Sequence, residues 1–313
     1  MGHAPSSLDR ANGQNLRTVT VISIISVLFL AGCAGNLPQD FRQALTIIVP
    51  HRVDFSEIDF YAKRSLAAYG TANSIRRQFP QTTRIKTIKS IDVLYFIETD
   101  RERKQQRISV RGTANDPNVF QDIEVRMVRD KRLGIYLHRG FRDDTRKVHA
   151  DLKPHLRNGY SMQVTGHSLG GAIAMVLSGY LMKDGHKVER LVTFGQPKVT
   201  NKTGATAFQG NITRVANEED VVPMLPPSDF HLGPGGAYEH VGPEVVLRTG
   251  RKYVYLPSHE ADRVSVGQFW RNASDFSARD HHMRLYLQNI EAKVRTGARQ
   301  VPYFGPTRSV SQR

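Results

Sequence analysis

The chain has 313 residues, enough for one or two domains, and its 44 lysines and arginines outnumber its 29 acidic residues, giving a formal charge of +15. Apolar residues make up 39% and charged residues 23%, and the 25 glycines and 15 prolines are scattered rather than periodic, which excludes a collagen-like, low-complexity or wholly disordered chain. One cysteine excludes a disulfide framework, a cysteine-based zinc site and an iron–sulfur cluster, and a mean hydropathy of −0.42 excludes a polytopic membrane protein.

Residues 18–39 carry no formal charge, and 19–30 are rich in Val, Ile, Leu and Phe behind Arg17, the pattern of an export signal. A transmembrane anchor is the alternative. Thr18, Thr20, Ser23 and Ser26 interrupt the stretch, whose continuous apolar part falls short of the roughly 20 residues a bilayer span needs. The segment ends Leu30-Ala31-Gly32-Cys33, with the only cysteine in last position, and resembles the lipobox of bacterial lipoproteins. The resemblance implies cleavage before Cys33, a diacylglyceryl group on its sulfur and lipidation as a membrane anchor, at about 0.8 kcal/mol per buried CH₂. Ala34 in place of Asp is similar to the pattern passed on to the outer membrane of Gram-negative bacteria. The sixteen residues before Arg17, Asp9 among them, depart from that family's pattern.

Removing residues 1–32 takes away Asp9, Arg10 and Arg17, so the 44 basic and 29 acidic residues become 42 and 28, and the basicity belongs to the remaining body. Attraction to anionic lipid, about 1 kcal/mol per well-placed Lys or Arg, stands beside a generally solvated basic surface. No helix-turn-helix, finger or RNP-type pattern points to nucleic acid.

Residues 56–69 read as a helix, with Ser56 as N-cap, Asp59 three residues on, Ile58, Tyr61, Ala62, Leu66 and Tyr69 at roughly helical spacing, and Gly70 after it. Strands follow at 84–91, 93–98 and 107–111, bounded by charged turns such as Asp100-Arg101-Glu102-Arg103. From about residue 145 the order becomes helix, strand (161–165), helix (172–182), strand (188–194) and strand (212–216), which predicts an α/β fold with a mostly parallel sheet and helices on both faces. Residues 245–248 and 252–256 read as a hairpin around Gly250, and 280–293 as a last helix. The segment 297–313 is basic and poor in apolar residues, and is read as a disordered tail. No internal repeat is visible, and no linker divides residues 40–296.

Gly166-His167-Ser168-Leu169-Gly170-Gly171 falls between a predicted strand and a predicted helix, which is the context a nucleophile elbow requires. Glycines flank the serine because a Cβ would collide with neighbouring backbone, and the following helix N-terminus favours developing negative charge. Serine attacks only when a base takes its proton and a carboxylate orients that base. Asp220, just past the strand 212–216, is the candidate acid, with Glu218 and Glu219 as competitors. His281 and His282, opening the last helix, are the candidate bases; the other ten histidines read as surface or structural residues, and His167 is set aside as pointing away from the site.

These residues belong to a longer series. Arg111-Gly112-Thr113 followed by Asn118 and Asp122, His138-Arg139-Gly140-Phe141, Gly166 to Gly171, Phe194-Gly195-Gln196-Pro197-Lys198-Val199, Asp220 to Pro223, Tyr238-Glu239-His240-Val241-Gly242, and Asp280-His281 with Met283 and Tyr286 occur in that order. Over roughly residues 56–290 the chain resembles the class 3 lipase family of α/β-hydrolases, with Lys198 where that family carries Arg. The resemblance implies an α/β-hydrolase domain over 56–296, which follows the signal read at 1–32 and a linker at 33–55. It implies Ser168 as nucleophile, Asp220 as acid and His281 as base, favouring it over His282, and the backbone N–H groups of Leu169 and Thr113 as oxyanion hole, the Thr113 hydroxyl being a third donor. Arg111, His138 and His240 are read as structural.

The implied activity is hydrolysis of carboxylic esters of lipids through an acyl-enzyme, with no metal or cofactor required. Triacylglycerol lipase, phospholipase A1 on anionic phospholipids and plain carboxylesterase share that machinery, and a catalytically silent envelope-binding lipoprotein is the reading from another class. Fungal members carry a mobile apolar lid with a Trp, whereas residues 114–125 here offer few large apolar side chains, so interfacial activation is not expected. The one Trp, Trp270, is a candidate for the acyl pocket or for packing.

Overall fold

The computed structural model of the chain describes residues 52–113, 125–208, 210–227, 235–258, 260–261 and 278–303. Cys33 and the signal segment, Asn118, Asp122 and the 114–124 stretch, Trp270 and residues 304–313 lie outside the described residues.

The strands in chain order are β1 (Thr82–Ile88), β2 (Val93–Asp100), β3 (Gln105–Val110), β4 (Met127–Arg129), β5 (Tyr136–His138), β6 (Ser161–His167), β7 (Val188–Phe194), β8 (Thr200–Asn201), β9 (Ile212–Asn217), β10 (Tyr238–Glu239), β11 (Glu244–Leu247), β12 (Lys252–Leu256) and β13 (Arg299–Gln300). The α-helices are α1 (Phe55–Ala67), α2 (Ala72–Gln78), α3 (Arg139–Leu152), α4 (Leu169–Lys183), α5 (Lys202–Ala207) and α6 (Met283–Thr296).

Among the described residues, nine strands make the main sheet in the order β1-β2-β3-β6-β7-β9-β11-β12-β13. Its centre, β3 through β11, is parallel, while β1, β2 and β12 pair antiparallel at the flanks. This is the α/β-hydrolase arrangement, a mostly parallel sheet with helices on both faces. Successive residues of a strand point to opposite faces, and β7 shows the consequence. Leu191 joins a cluster with Phe141, Val148 and Leu152 of α3 and nearly the whole of α4, whereas Val192 and Phe194 pack with Phe55, Ile58 and Tyr61 of α1 and Met283, Tyr286 and Ile290 of α6.

Several boundaries differ from the sequence reading. Asp54, not Ser56, caps α1: its Oδ1 accepts the N–H groups of Ser56 (2.9 Å) and Glu57 (3.1 Å), a carboxylate being well suited to the positive end of a helix. The fold therefore starts inside the span assigned to a linker, with Phe55 already buried. Helix α3 starts at Arg139, several residues before the predicted position, because His138 accepts the Phe141 N–H at 3.3 Å and caps it despite Gly140. A small antiparallel sheet, β10-β8-β5-β4, was not predicted; its strands of two or three residues are too short to show a period.

The span 297–313 is also corrected at its start. Arg299 N–H donates to Arg251 O (2.7 Å) and Val301 N–H to Tyr253 O (2.8 Å), adding β13 beside β12. Edge-strand pairing uses backbone groups, so a segment poor in apolar residues can still take it.

Candidate active site

Ser168 sits between β6 and α4 with φ +60° and ψ −132°, a left-handed conformation that is costly for any residue with a Cβ. The surroundings impose it. A Cβ added to Gly166 would lie 2.3 Å from the carbonyl oxygen of Gly170, and one added to Gly170 would lie 2.3 Å from that of Val110, so no side chain fits on either side of the turn. Serine at a helix N-cap usually spends its hydroxyl on the first turn. Ser168 makes no such bond, while the Gly171 and Ala172 N–H groups donate to its carbonyl (2.8 and 3.1 Å), leaving the side chain at the positive end of α4 with Leu169 as first helical residue.

The structure brings Asp220 and His281 together across 61 residues, with Nδ1 of His281 2.7 Å from Oδ2 of Asp220. A carboxylate oxygen accepts, so Nδ1–H of His281 is the donor in this pair and Nε2 is the ring nitrogen left for other partners. Asp220 is 2% exposed and also accepts the Val222 N–H on Oδ1 (2.9 Å) and the Tyr286 hydroxyl on Oδ2 (2.5 Å). Burial, and then Asp220 itself, push the Tyr286 phenol well above its ordinary range, so it stays a donor. Glu218 forms a salt bridge with Arg248 at 2.7 Å, and Glu219 and His282 are exposed.

Gly195 joins this pair to the elbow. The Ser168 N–H donates to the carbonyl of Phe194 (2.9 Å), and a Cβ on Gly195, whose φ is +54°, would lie 2.9 Å from Cε1 of His281 and 3.0 Å from Oδ2 of Asp220. Ser168, His281 and Asp220 thus surround one loop. Thr113 is half-buried at the end of β3, and its neighbour Gly112 lies so close that an added Cβ would come within 2.9 Å of Ser168 Cβ.

His167 was set aside in the sequence, yet its ring centroid lies 4.6 Å from that of His281 and its Nε2 is 2.7 Å from the His281 carbonyl oxygen. Asn217 donates to the carbonyl of Asp280 (2.9 Å), and Lys198 donates to those of Met224 (2.6 Å) and Pro226 (3.2 Å), holding the stretch that follows Asp220. The elbow motif pointed only to its own serine; nothing local in the sequence marks Asn217 or Lys198 as supports. Arg111 donates to Asp92 (2.6 Å), and His240 Nδ1 lies 2.6 Å from the Arg214 guanidinium. Among the described residues, no group of three or more His, Cys, Asp and Glu side chains converges on a metal position.

A serine on a strand–turn–helix elbow, beside a carboxylate–imidazole pair on the next loops of a parallel sheet, defines an α/β-hydrolase. Residues 107–230 match the family model for lipase (class 3). The chain is 29% identical over 261 residues to secreted mono- and diacylglycerol lipase 1 of Fusarium solani, covering 74% of this chain and 75% of that protein. It is 34% identical over 114 residues to a lipase of Rhizomucor miehei, covering 31% of this chain and 30% of that one. Among solved structures, its fold resembles that of the lipase from Rhizopus microsporus var. chinensis, with a TM-score of 0.62 at 21% identity over 75% of this chain and 88% of that chain. These similarities support a class 3 lipase family relationship and a serine ester hydrolase activity.

Proposed function

We propose that this protein hydrolyses carboxylic esters of lipids, with Ser168 as nucleophile, His281 as base and Asp220 as orienting acid. The reading rests on the 2.7 Å pair between His281 and Asp220, packed against the loop that receives the Ser168 N–H. His281 Nε2 takes the hydroxyl proton as Ser168 Oγ bonds to the ester carbonyl carbon. The resulting oxyanion is held by the N–H groups of Leu169 and Thr113 and the Thr113 hydroxyl, each donor worth about 2.7–4 kcal/mol in the transition state. His281 then protonates the departing alkoxide, and a water repeats the sequence on the acyl-enzyme. The similarity to a secreted mono- and diacylglycerol lipase supports an acylglycerol-type substrate and export.

The test is hydrolysis of a medium-chain p-nitrophenyl ester by the chain from Gly35 onward, with Ser168→Ala prepared identically. Activity lost in the variant supports the reading. Equal inactivity of both folded proteins, on this ester and on lipid esters, overturns it in favour of the envelope-binding lipoprotein. The excess of Lys and Arg favours anionic phospholipids among the substrates, a phospholipase A1 activity checked by the release of acyl groups from phosphatidylglycerol.

Residues 30–33 support a further part of the proposal, in which 1–32 are a signal, Cys33 is lipidated, and the hydrolase domain over 56–296 is anchored at the bacterial outer membrane. Cys33→Ala is expected to move the protein out of the membrane fraction; undiminished, detergent-requiring membrane association would overturn the anchor.

A further inference from the structure

The β4–β5 hairpin, α3 and the later turns of α4 surround a cavity of about 350 Å³. Arg129, Lys131 and Arg132 reach it from the hairpin, and Arg142 and Arg146 from positions four apart on α3, which share one helix face. One lining carboxylate, Asp130, faces these five cations, and both its oxygens are committed to the hairpin and the helix. Its Oδ1 accepts the N–H groups of Arg132 (2.9 Å) and Leu133 (2.8 Å), and its Oδ2 accepts the Tyr180 hydroxyl (2.6 Å).

Two of the cations are fixed by carboxylates outside the lining. Arg132 pairs with Asp184 and lies 5.3 Å over the Tyr180 ring, and Arg142 donates to Asp143 at 2.6 and 2.9 Å. Arg129, Lys131 and Arg146 are exposed and form no ion pair among the described residues. His149, on the same wall, is pushed down to about 4 by burial and then by Arg132 and Lys153, so it is neutral near pH 7 and adds no charge. Three unpaired cations gathered beside two paired ones repel each other, and an anion in the cavity would relieve that repulsion.

We propose that this cavity binds a phosphate group, free or carried by a lipid headgroup, at a site separate from the catalytic serine. Two of its three unpaired cations, Arg129 on the hairpin and Arg146 on α3, are arginines, whose planar forks bind oxyanions with two parallel N–H bonds. Arriving from two elements, they suit the three or four oxygens of a tetrahedral phosphate better than the two of a carboxylate. The volume leaves room for a glycerol or sugar beyond the phosphate. Tyr180 lies twelve residues along the helix from Ser168, about 18 Å at 1.5 Å per residue, so a group bound here does not occupy the ester site.

The test uses the full chain carrying Ser168→Ala, so that lipid is not consumed and the result does not depend on catalysis. Calorimetric titration with inorganic phosphate and flotation with phosphatidylcholine vesicles, with and without phosphatidylglycerol, are compared for this parent, for Arg129→Glu/Arg146→Glu, and for Arg76→Glu/Arg77→Glu, which changes the same charge on exposed positions of α2. At least one probe is expected to bind parent and α2 control alike and the cavity variant about tenfold more weakly. Saturable phosphate binding without vesicle preference identifies a soluble phosphate as the ligand; preference for phosphatidylglycerol with weak phosphate binding identifies a headgroup. Binding of neither probe, or equal loss in both variants, overturns the site. Hydrolysis of a soluble ester by the same substitutions in the Ser168 chain reports folding, and Arg129→Gln/Arg146→Gln is expected to weaken binding in the same direction if the glutamates unfold the protein.

Discussion

Gly195→Ala separates the geometry of the site from the stability of the fold. Its φ of +54° costs an alanine about 1–2 kcal/mol of backbone strain. The new methyl group would stand 2.9 Å from Cε1 and 3.0 Å from Nδ1 of His281, and 3.0 Å from Oδ2 of Asp220. Ordinary contacts begin near 3.5 Å, so the imidazole or the carboxylate must retreat by about half an ångström. Misplacing a catalytic group by about 1 Å can cost a hundredfold in rate, so kcat is expected to fall about ten- to a hundredfold with KM close to the parent value. Gly250→Ala is the control: its φ is +68°, and nothing lies within 4 Å of its added Cβ. Gly250→Ala should lose about 1–2 kcal/mol in urea denaturation, the cost of a left-handed alanine, and Gly195→Ala at least as much, but only Gly195→Ala should lose turnover on a p-nitrophenyl ester. Equal loss of kcat in the two, or none at Gly195, would refute the placement of His281 and Asp220 as base and acid.

Asp220→Asn turns an acceptor of the His281 and Tyr286 bonds into a donor, and kcat is expected to drop about 10⁴-fold, while Glu218→Gln, whose partner is Arg248, should stay within about twofold; the reverse pattern would reassign the acid. Tyr286→Phe removes a bond to a buried carboxylate, and urea denaturation should record a loss of about 1.5–3 kcal/mol. His149, His167 and His240 are all held below the ordinary histidine pKa of 6.5, chiefly by burial, and are neutral in the fold. The unfolded chain protonates first as the pH drops, so stability should fall below pH 6.5, by up to about 1.4 kcal/mol per pH unit for each histidine; a flat urea midpoint between about pH 7 and pH 5 would show that they charge inside the fold.

The strands and helices that carry the site are legible because each is long enough to show a period or is bounded by a motif: 188–194 and 252–256 are read to the residue, and β9 and α4 to within a few. What escaped was stabilised by partners far away in sequence. β13 exists because β12 offers a free edge, and the short strands β8 and β10 because they pair with each other. The choice between His281 and His282 has the same origin. Adjacent imidazoles are chemically alike, and only the turn at 278–281 decides which one meets Asp220. Local signals announced a nucleophile; the ties that hold its partners are long-range.

Those ties begin in the first helix. The carbonyl of His281 can only accept, so Nε2 of His167 must carry the proton at their 2.7 Å contact. Burial, followed by the nearby His281, holds the His167 ring well below the ordinary pKa, so it is neutral and its Nδ1 must accept from the Tyr69 hydroxyl 2.7 Å away. Ser65 bonds Thr165 at 2.9 Å one turn earlier, so the end of α1 grips β6 just before the elbow. The strand β6 and His281 are therefore referenced to the same few side chains. Residue 280 is held through its carbonyl by Asn217, which in turn accepts from Asn289 of α6. Because this grip on residues 280 and 281 falls on backbone carbonyls, it constrains the path of the loop more than its side chains. The imidazole of His281 is the exception, since it must also meet Asp220.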